Sequence, residues 1–520
     1  MDKRVDAIAN PQDTKPMRDY QRAAVVNVRK SLAAGHRHTI LQAATGCGKT
    51  RIASEVIRSA TAKGNRCVFF APRRELIYQS RDALVELGLR VGVIMAGEPS
   101  DPDAPVQVVS FDTLNASGKR AEFVIPPADL VIVDECHLSV SKTRLAILRQ
   151  YGDTYIIGLT ATPAGGLGAL YHNIVQGPSV SSLVASGHLV PVQYYAPRKP
   201  NLAGVKTYAG DYQQRSLSER MNTPEEIRGT VRSWKEYASD RSTIVFCVTR
   251  EHGMAMCAAF QRARVRAEYL DGETPLQDRK DILARVDSGK TQVLVNILVA
   301  TFGTDIPRLS CVILARPTQD VTLYLQTVGR TLRPCPEINK LDAMVLDLAG
   351  AVLRHGFVDR RRPWTLEAGQ NINDATDRMA RENREPLEMV CEKCKAVFSG
   401  VRLCPRCGFD VVPPGKAIPI YRLDTDGPDL NTREGQEAFC ATARALQEQE
   451  QYKDGWFAHR YFECFGVWPS ADLKAVPAAW ASNETLFRVR RQMREYADRQ
   501  KIASLRAKGL YGGEAWEVPL

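Results

Sequence analysis

Three groups of residues in this sequence have the types and spacing of working chemistry. Ala43-Ala44-Thr45-Gly46-Cys47-Gly48-Lys49-Thr50 follows a short apolar run and opens a helical stretch. In that setting small residues let backbone N–H groups turn onto phosphate oxygens, and the helix N-terminus adds partial positive charge. Lys49 would reach the β- and γ-phosphates, Thr50 would hold Mg²⁺ through its hydroxyl, and the backbone from Ala43 through Thr45, Gly46, Cys47 and Gly48 would line the phosphates. Ala43 stands where the G-x-x-x-x-G-K-[ST] pattern has glycine. The second group is Leu130-Val131-Ile132-Val133 running into Asp134-Glu135-Cys136-His137. An apolar strand ending in two acids places carboxylates at the sheet edge where doubly wound folds bind ligands. Asp134 can hold Mg²⁺, and Glu135 can orient and deprotonate an attacking water. Lying 84 residues after Thr50, these acids complete a Walker A/Walker B pair, which implies ATP binding and hydrolysis. The third group is Cys391-Glu392-Lys393-Cys394 and Cys404-Pro405-Arg406-Cys407, two C-x-x-C knuckles nine residues apart. Four soft thiolates at that spacing suit tetrahedral Zn²⁺ in a ribbon. A disulfide pair or an iron–sulfur cluster is the alternative.

Positioning these groups requires a particular framework. Apolar runs without polar alternation, at Thr39–Leu41, Cys67–Phe70, Val106–Ser110, Leu130–Val133 and Tyr155–Leu159, read as strands covered on both faces. Helical stretches such as Arg51–Lys63 and Arg74–Leu87 alternate with them, which implies a parallel, doubly wound α/β sheet. A second series begins near Arg241, with strands at Ser242–Phe246, Ala267–Leu270, Gln292–Asn296, Cys311–Ala315 and Ala343–Asp347, and with helices at Glu251–Ala263 and Thr274–Ser288. The expected organisation is a mobile leader over 1–16, an ATP-binding domain over 17–195, a linker over 196–222, a second α/β domain over 223–352, a charged connector over 353–388, a zinc ribbon over 389–412 and a helical region over 413–520.

Composition bounds the function. With 520 residues, 44% hydrophobic and 25% charged, the chain is a multidomain globular protein, not a disordered, fibrous or disulfide-stapled one. It has no apolar run of the ~18–20 residues that would cross a bilayer, and no apolar stretch follows the basic N-terminal residues, so a cytoplasmic protein without a membrane partner is expected. The net charge of +11 favours polyanionic partners. Thirteen cysteines are an odd number, and the nine outside the two knuckles are scattered and receive no role.

In their order along the chain, these segments and several others resemble the superfamily 2 helicases of the DEAD/DEAH-box group. Arg18-Asp19-Tyr20-Gln21 resembles the adenine-reading element, with Arg18 and Gln21 at the nucleotide and Gln21 bidentate to the base. Ala71-Pro72-Arg73-Arg74-Glu75-Leu76 resembles motif Ia, Leu159-Thr160-Ala161-Thr162-Pro163 motif III, and Val245-Phe246-Cys247 the start of motif IV. Ala300–Pro307 resembles motif V, with Phe302 where an acid is frequent and Thr304 where an aromatic is frequent. Gln326-Thr327-Val328-Gly329-Arg330-Thr331-Leu332-Arg333-Pro334 resembles motif VI. Among subgroups, the spelling is most similar to the XPB/Ssl2-like and UvsW-like DNA helicases of phage type.

The resemblance implies two tandem RecA-like doubly wound parallel-sheet domains, which clamp ATP between them and move on DNA by sequence-blind contacts to its backbone. It implies that Gln326, Arg330 and Arg333 reach across the cleft to the nucleotide, joined on the cofactor side by Gly303 and Asp305. By the same resemblance Arg73, Ser110, Thr113 and Thr301 touch the nucleic-acid backbone, while His137, Thr160 and Thr162 couple the nucleotide site to strand movement. The leading expectation is an ATP-dependent DNA helicase or translocase of replication, recombination or repair. The alternatives are an RNA helicase and the non-unwinding motor of a restriction-type complex. In the tail, Gly455–Phe462 and Phe465–Pro469 are read as a small aromatic core before a base-stacking surface, and Arg488–Lys508 as a basic amphipathic helix.

Overall fold

The computed structural model describes residues 16–117, 125–163, 166–208, 210–297, 306–367, 371–383, 385–386, 388–401, 403–409, 411, 432–449, 456–465 and 467–477. Thr301, Gly303, Asp305 and the rest of the motif V core lie outside these residues, as do the basic stretch 488–508 and the leader before residue 16. The chain divides into two compact units, Met1–Glu385 and Pro386–Leu520.

The first unit holds two lobes, each built on a parallel sheet. In the first lobe the strands are β1 (His38–Gln42), β2 (Cys67–Ala71), β3 (Val91–Ile94), β4 (Val106–Ser110), β5 (Leu130–Asp134), β6 (Tyr155–Thr160) and β7 (Asn173–Gln176), in the order β3-β4-β2-β5-β6-β1-β7. Every residue of β2, β4 and β5 is buried. Apolar side chains on both faces of a strand have nowhere to go but between helices, which is why these runs lack polar alternation. The edge strands β3 and β7 escape the sequence pattern because each is four residues long and only partly covered. The strand order matters for chemistry. β6 is flanked by β1 and β5, with Gln42 in register with Thr160 and Asp134 with Leu159, so the chain leaving β1 and the chain leaving β5 emerge on either side of Thr160.

The second lobe contains β8 (Val192–Tyr195), the two-stranded ribbon of β9 (Thr207–Tyr208) and β10 (Asp211–Tyr212), then β11 (Thr243–Phe246), β12 (Ala267–Leu270), β13 (Val293–Asn296), β14 (Cys311–Leu314) and β15 (Ala343–Asp347). Its sheet runs β12-β13-β11-β14-β15-β8, with all neighbours parallel. β8 precedes residue 196, yet it pairs with β15, so the crossing between lobes comes before the position where the sequence placed the first domain's end. The stretch expected as a linker is likewise folded. After the ribbon, the helix Gln214–Met221 buries Leu217 and Met221 against Val248 of the second lobe.

The described residues of the connector expected over 353–388 are also folded. The Arg362 guanidinium is buried and donates to the carbonyls of His355 (2.9 Å), Phe357 (3.0 Å), Arg360 (3.0 Å) and Val358 (3.5 Å). Val358 N–H donates to the Tyr194 hydroxyl at 3.0 Å. From that anchor the chain runs back to the first lobe, where Leu366 packs on the core around Leu167 and its carbonyl accepts the N–H of Gly168 at 2.9 Å. A helix, Ile372–Glu382, follows. High charge concealed this docking in the sequence, because the few residues that do the packing are spread among arginines.

In the second unit β16 (Glu388–Val390) and β17 (Ala396–Ser399) form an antiparallel ribbon beside the paired cysteines. The helices Arg433–Gln449, Trp456–Phe465 and Ala471–Lys474 follow. Phe439, Phe457, Tyr461, Leu473 and Val476 are buried together in one core, which meets the core reading of the tail at Phe457 and Tyr461, whereas Phe462 and Trp468 are exposed. No helix among the described residues is long and apolar enough to cross a membrane.

One glycine shows how tightly the first lobe holds its catalytic edge. Gly158 lies inside β6, and a Cβ there would sit 2.8 Å from Cys136 Sγ and 2.9 Å from the Tyr171 ring. Gly158→Ala therefore overpacks the core directly beneath Asp134 and Glu135, and it is expected to cost about 1–3 kcal/mol, measured by urea unfolding.

Candidate functional site

The nucleotide cleft begins at the end of β1. Ala43 continues the strand ladder, its N–H donating to the Thr160 carbonyl at 3.0 Å, and its methyl lies where a Cβ on Gly177 would come within 2.7 Å. Its φ is not positive, so the position needs no glycine. Positive φ begins farther on, at Gly46 (+87°) and Gly48 (+81°), where a side chain would be strained. At Gly48 there is a second reason, because an added Cβ would lie 2.7 Å from Gln21 Nε2. The helix Lys49–Thr61 then starts, with Lys49 Nζ 3.4 Å from the Ala43 carbonyl and Thr50 in its first turn.

Gln21 and Tyr20 hold this loop from outside. The Gln21 amide donates to the Cys47 carbonyl at 3.1 Å, as does the Tyr20 hydroxyl, and Gln21 Oε1 accepts Arg18 N–H at 3.0 Å. Gln21 was expected to read a base with both ends of its amide. Here each end already has a protein partner and the residue is buried, which leaves one amide hydrogen and one lone pair for a ligand.

Opposite the loop, β5 ends in Asp134, and Glu135 adopts φ +45°, a left-handed conformation costly for a residue with a side chain. Burial, then the neighbouring Glu135, push the Asp134 carboxyl up to about 7, with Lys49 pulling the other way. A buried Asp134 and a half-buried Glu135 facing Lys49, which Thr50 follows in the chain, are a donor set that fits Mg²⁺: hard oxygen ligands whose charge a divalent cation would offset. His137 Nδ1 lies 3.0 Å from Thr160 Oγ1 and 3.4 Å from Glu135 Oε2, and Thr160 Oγ1 accepts the N–H of Thr162 at 3.0 Å. Burial holds the imidazole below its ordinary pKa despite Glu135. The chain of contacts therefore runs from Glu135 through His137 and Thr160 to Thr162.

The second lobe supplies the facing wall through the helix Val321–Gly329. Gln326 Nε2 is 3.4 Å from Glu135 Oε2. A Cβ on Gly329 would sit 2.7 Å from Thr45 Cβ, so the helix end rests on the loop itself. Arg330 is half-buried, its pKa lowered by burial and held up by Glu135. Arg333 is also half-buried, and its side chain would lie 3.9 Å from a Cβ on Gly46, with Leu189 at 3.2 Å. Lys49, Asp134, Glu135, Gln326, Arg330 and Arg333 thus converge on one cleft.

The expected nucleic-acid contacts divide. Arg73 is exposed. Ser110 and Thr113 are buried, and both face inward. Thr113 Oγ1 accepts the N–H of Ala96 at 3.1 Å, and Ser110 Oγ accepts the N–H of Thr113 at 3.4 Å. They brace the turn after β4. Sequence reading also missed a contact that joins the lobes: Arg279 of the helix Leu276–Asp287 pairs with Glu75. Glu75 lay inside the quoted motif Ia, but a pair of charges 204 positions apart leaves no local signal.

In the second unit Cys391, Cys394, Cys404 and Cys407 bring their sulfurs within 4.8 Å of one another. Cys391 and Cys407 are 3.6 Å apart, and Cys394 and Cys404 are 3.5 Å apart. Four ligands at about 2.3 Å around one ion would stand about 3.8 Å apart, so the cluster fits a tetrahedral metal. The knuckles are built alike, with Lys395 N–H donating to the Cys391 carbonyl and Gly408 N–H to that of Cys404, and with Lys395 and Gly408 both left-handed.

Comparison with known proteins agrees with this geometry. The family described as "Type III restriction enzyme, res subunit" matches residues 14–165, and the "Helicase conserved C-terminal domain" matches residues 225–335. The "51.5 kDa protein" of a Lactococcus phage is 26% identical over 71% of this chain and 78% of its own length. IRC3 of Saccharomyces cerevisiae, provisionally named an ATP-dependent helicase, is 28% identical over 64% of this chain, which spans about half of that protein (51%). The fold is shared with a fragment from Vibrio vulnificus assigned as the HsdR subunit of a type I restriction enzyme, at TM-score 0.53 and 22% identity, over 67% of this chain and 68% of that one. With both domains present in this order, and their residues facing one cleft, the chain belongs to the DEAD/DEAH-like helicases of superfamily 2, enzymes that hydrolyse ATP and act on nucleic acid.

Proposed function

We propose that this chain is an ATP-driven DNA motor, coupling hydrolysis to translocation on or unwinding of DNA in replication, recombination or repair. The observation that carries the reading is the facing placement of the helix Val321–Gly329 on the phosphate loop, with Gln326 at Glu135. Phosphoryl transfer depends on positioning and on neutralising charge as the γ-phosphate departs. Lys49 meets that charge from the first lobe, Arg330 and Arg333 meet it from the second, and Glu135, steadied by Gln326 and His137, orients and deprotonates the water. Asp134 and Thr50 would hold Mg²⁺, which supplies further positive charge to the phosphate oxygens. Because the arginines belong to one lobe and the loop to the other, turnover requires closure, and reopening frees the product. Nucleic acid spanning both lobes, with Arg73 on its backbone, would then be gripped in alternation.

The choice of DNA is favoured by the restriction-enzyme family to which the first domain is matched. The same match favours a second reading, a motor subunit of a restriction-type assembly whose cleavage would come from elsewhere. An RNA helicase remains the other alternative, since contacts to the phosphate backbone do not distinguish the sugars and the 2′-hydroxyl decides. The XPB- or UvsW-like grouping rests on the spelling of Arg18–Gln21 and Gly329–Pro334. In the second unit we assign Zn²⁺ to the four cysteines as a structural metal.

These readings have direct tests. ATPase activity should rise with added DNA more than with RNA of equal length, lose its stimulation steeply with salt, and disappear in Lys49→Ala and Glu135→Gln. Stimulation surviving in both variants sinks the site assignment, and preference for RNA sinks the choice of DNA. Gly329→Ala places a methyl between helix and loop and should lower kcat by about tenfold or more, with the fold intact by circular dichroism. The purified chain should carry one zinc by metal analysis. Cys391→Ser with Cys394→Ser should abolish it and unfold the ribbon while leaving basal ATPase in place, whereas an unchanged metal content would exclude the site.

A further inference from the structure

The ribbon in the segment joining the lobes carries a carboxylate to which no role has yet been assigned. Asp211 opens β10, opposite Tyr208 across a turn containing Gly210 at φ +85°. Both of its oxygens reach one loop of the second lobe, and Oδ1 also accepts the N–H of Tyr212 in its own strand at 2.8 Å. Oδ1 accepts the N–H of Gln319 at 2.7 Å, while Oδ2 accepts the hydroxyl of Thr318 at 3.0 Å and lies 3.6 Å from an Arg316 guanidinium nitrogen. The Thr318 hydroxyl in turn accepts the N–H of Asp320 at 3.0 Å, and Asp320 caps the helix Val321–Gly329 by accepting Thr322 N–H at 2.7 Å. Hydrogen bonds in series strengthen one another, so one carboxylate is linked through one hydroxyl to the first turn of the helix that carries Gln326 and leads into Arg330 and Arg333.

Arg316 makes the same point from the side of charge. Its side chain is 16% exposed, and its Nε and Nη1 have no acceptor among the described residues. A buried guanidinium needs counter-charge, and Asp211 and Asp320 are the acids that oppose the burial holding its pKa down. The ribbon itself is fixed by the helix behind it: Gln214 donates to the Val248 carbonyl at 3.0 Å, and the Ser218 and Thr249 hydroxyls are 3.1 Å apart.

We propose that Asp211 is a positioning residue for ATP hydrolysis, setting the start of the helix Val321–Gly329 and thereby where Arg330 and Arg333 stand against the phosphate loop. The inference rests on the proposed roles of those arginines. A displacement of about 1 Å at a reacting centre costs up to about 100-fold, so a fault at the cap appears in turnover before it appears in binding.

The test uses the full chain and DNA-stimulated ATPase. Asp211→Asn should lower kcat about tenfold with the ATP KM within about twofold, and adding it to Arg330→Ala/Arg333→Ala should slow that variant no further, because it acts through those two arginines. Asp211→Glu keeps the charge beside Arg316 but moves the oxygens by a methylene, so thermal stability should return while kcat stays low. Thr318→Val cuts the hydroxyl relay alone and serves where Asp211→Asn does not fold; its kcat should fall in the same direction. The proposal is overturned if Asp211→Asn, or Thr318→Val in its place, turns over at the parental rate while Arg330→Ala is impaired, or if the losses multiply when Asp211→Asn is added to Arg330→Ala/Arg333→Ala. If Arg330→Ala itself is unimpaired, the reading of the arginines fails first, and the positioning role goes with it.

Discussion

Everything in the motor unit depends on the contact between the end of the helix Val321–Gly329 and the phosphate loop. At Gly329 the helix backbone approaches the Thr45 side chain until no second Cβ fits between them, and Gln326 reaches Glu135 from the same helix. Neither wall is complete alone. The first lobe supplies a lysine, a threonine and two acids; the second supplies two arginines in partly desolvated positions. Guanidinium groups in such a setting are costly unless negative charge is near, and Glu135 or phosphate oxygens provide it. The chemistry of the site and the mechanics of closure are therefore one electrostatic problem.

How the first lobe presents its groups follows from strand order. β6 separates β1 from β5, so lysine and acids leave the sheet a strand apart on each side of Thr160, close enough for one ligand to touch both. Gly158 lets Cys136 and Tyr171 pack under that edge. Cys136, which follows the acid pair, is thus a buried core residue that supports Glu135, whose left-handed backbone needs rigid support.

Much of this was legible beforehand. Strands buried on both faces announced themselves as unbroken apolar runs, and the phosphate loop, the acid pair and the paired cysteines were visible because each is contiguous or tightly spaced. What failed to show was of two kinds. The bracing bonds of Ser110 and Thr113 did not show because a hydroxyl that braces a turn and one that meets a phosphate look the same in a sequence. Glu75 with Arg279, Asp211 with its loop, and Leu366 under Gly168 were invisible because each contact joins residues more than 100 positions apart, with no periodicity between them. The folded linker and connector were missed for the same reason, as polar composition hides a few well-placed apolar anchors.

The return of the chain from Arg362 to Leu366 has a mechanical meaning. Four peptide steps span at most about 14 Å, one end being fastened by four carbonyls and the other stitched under the opposite lobe. While both fastenings hold, that margin of the cleft works like the spine of a book: the covers can swing, but they cannot be pulled apart.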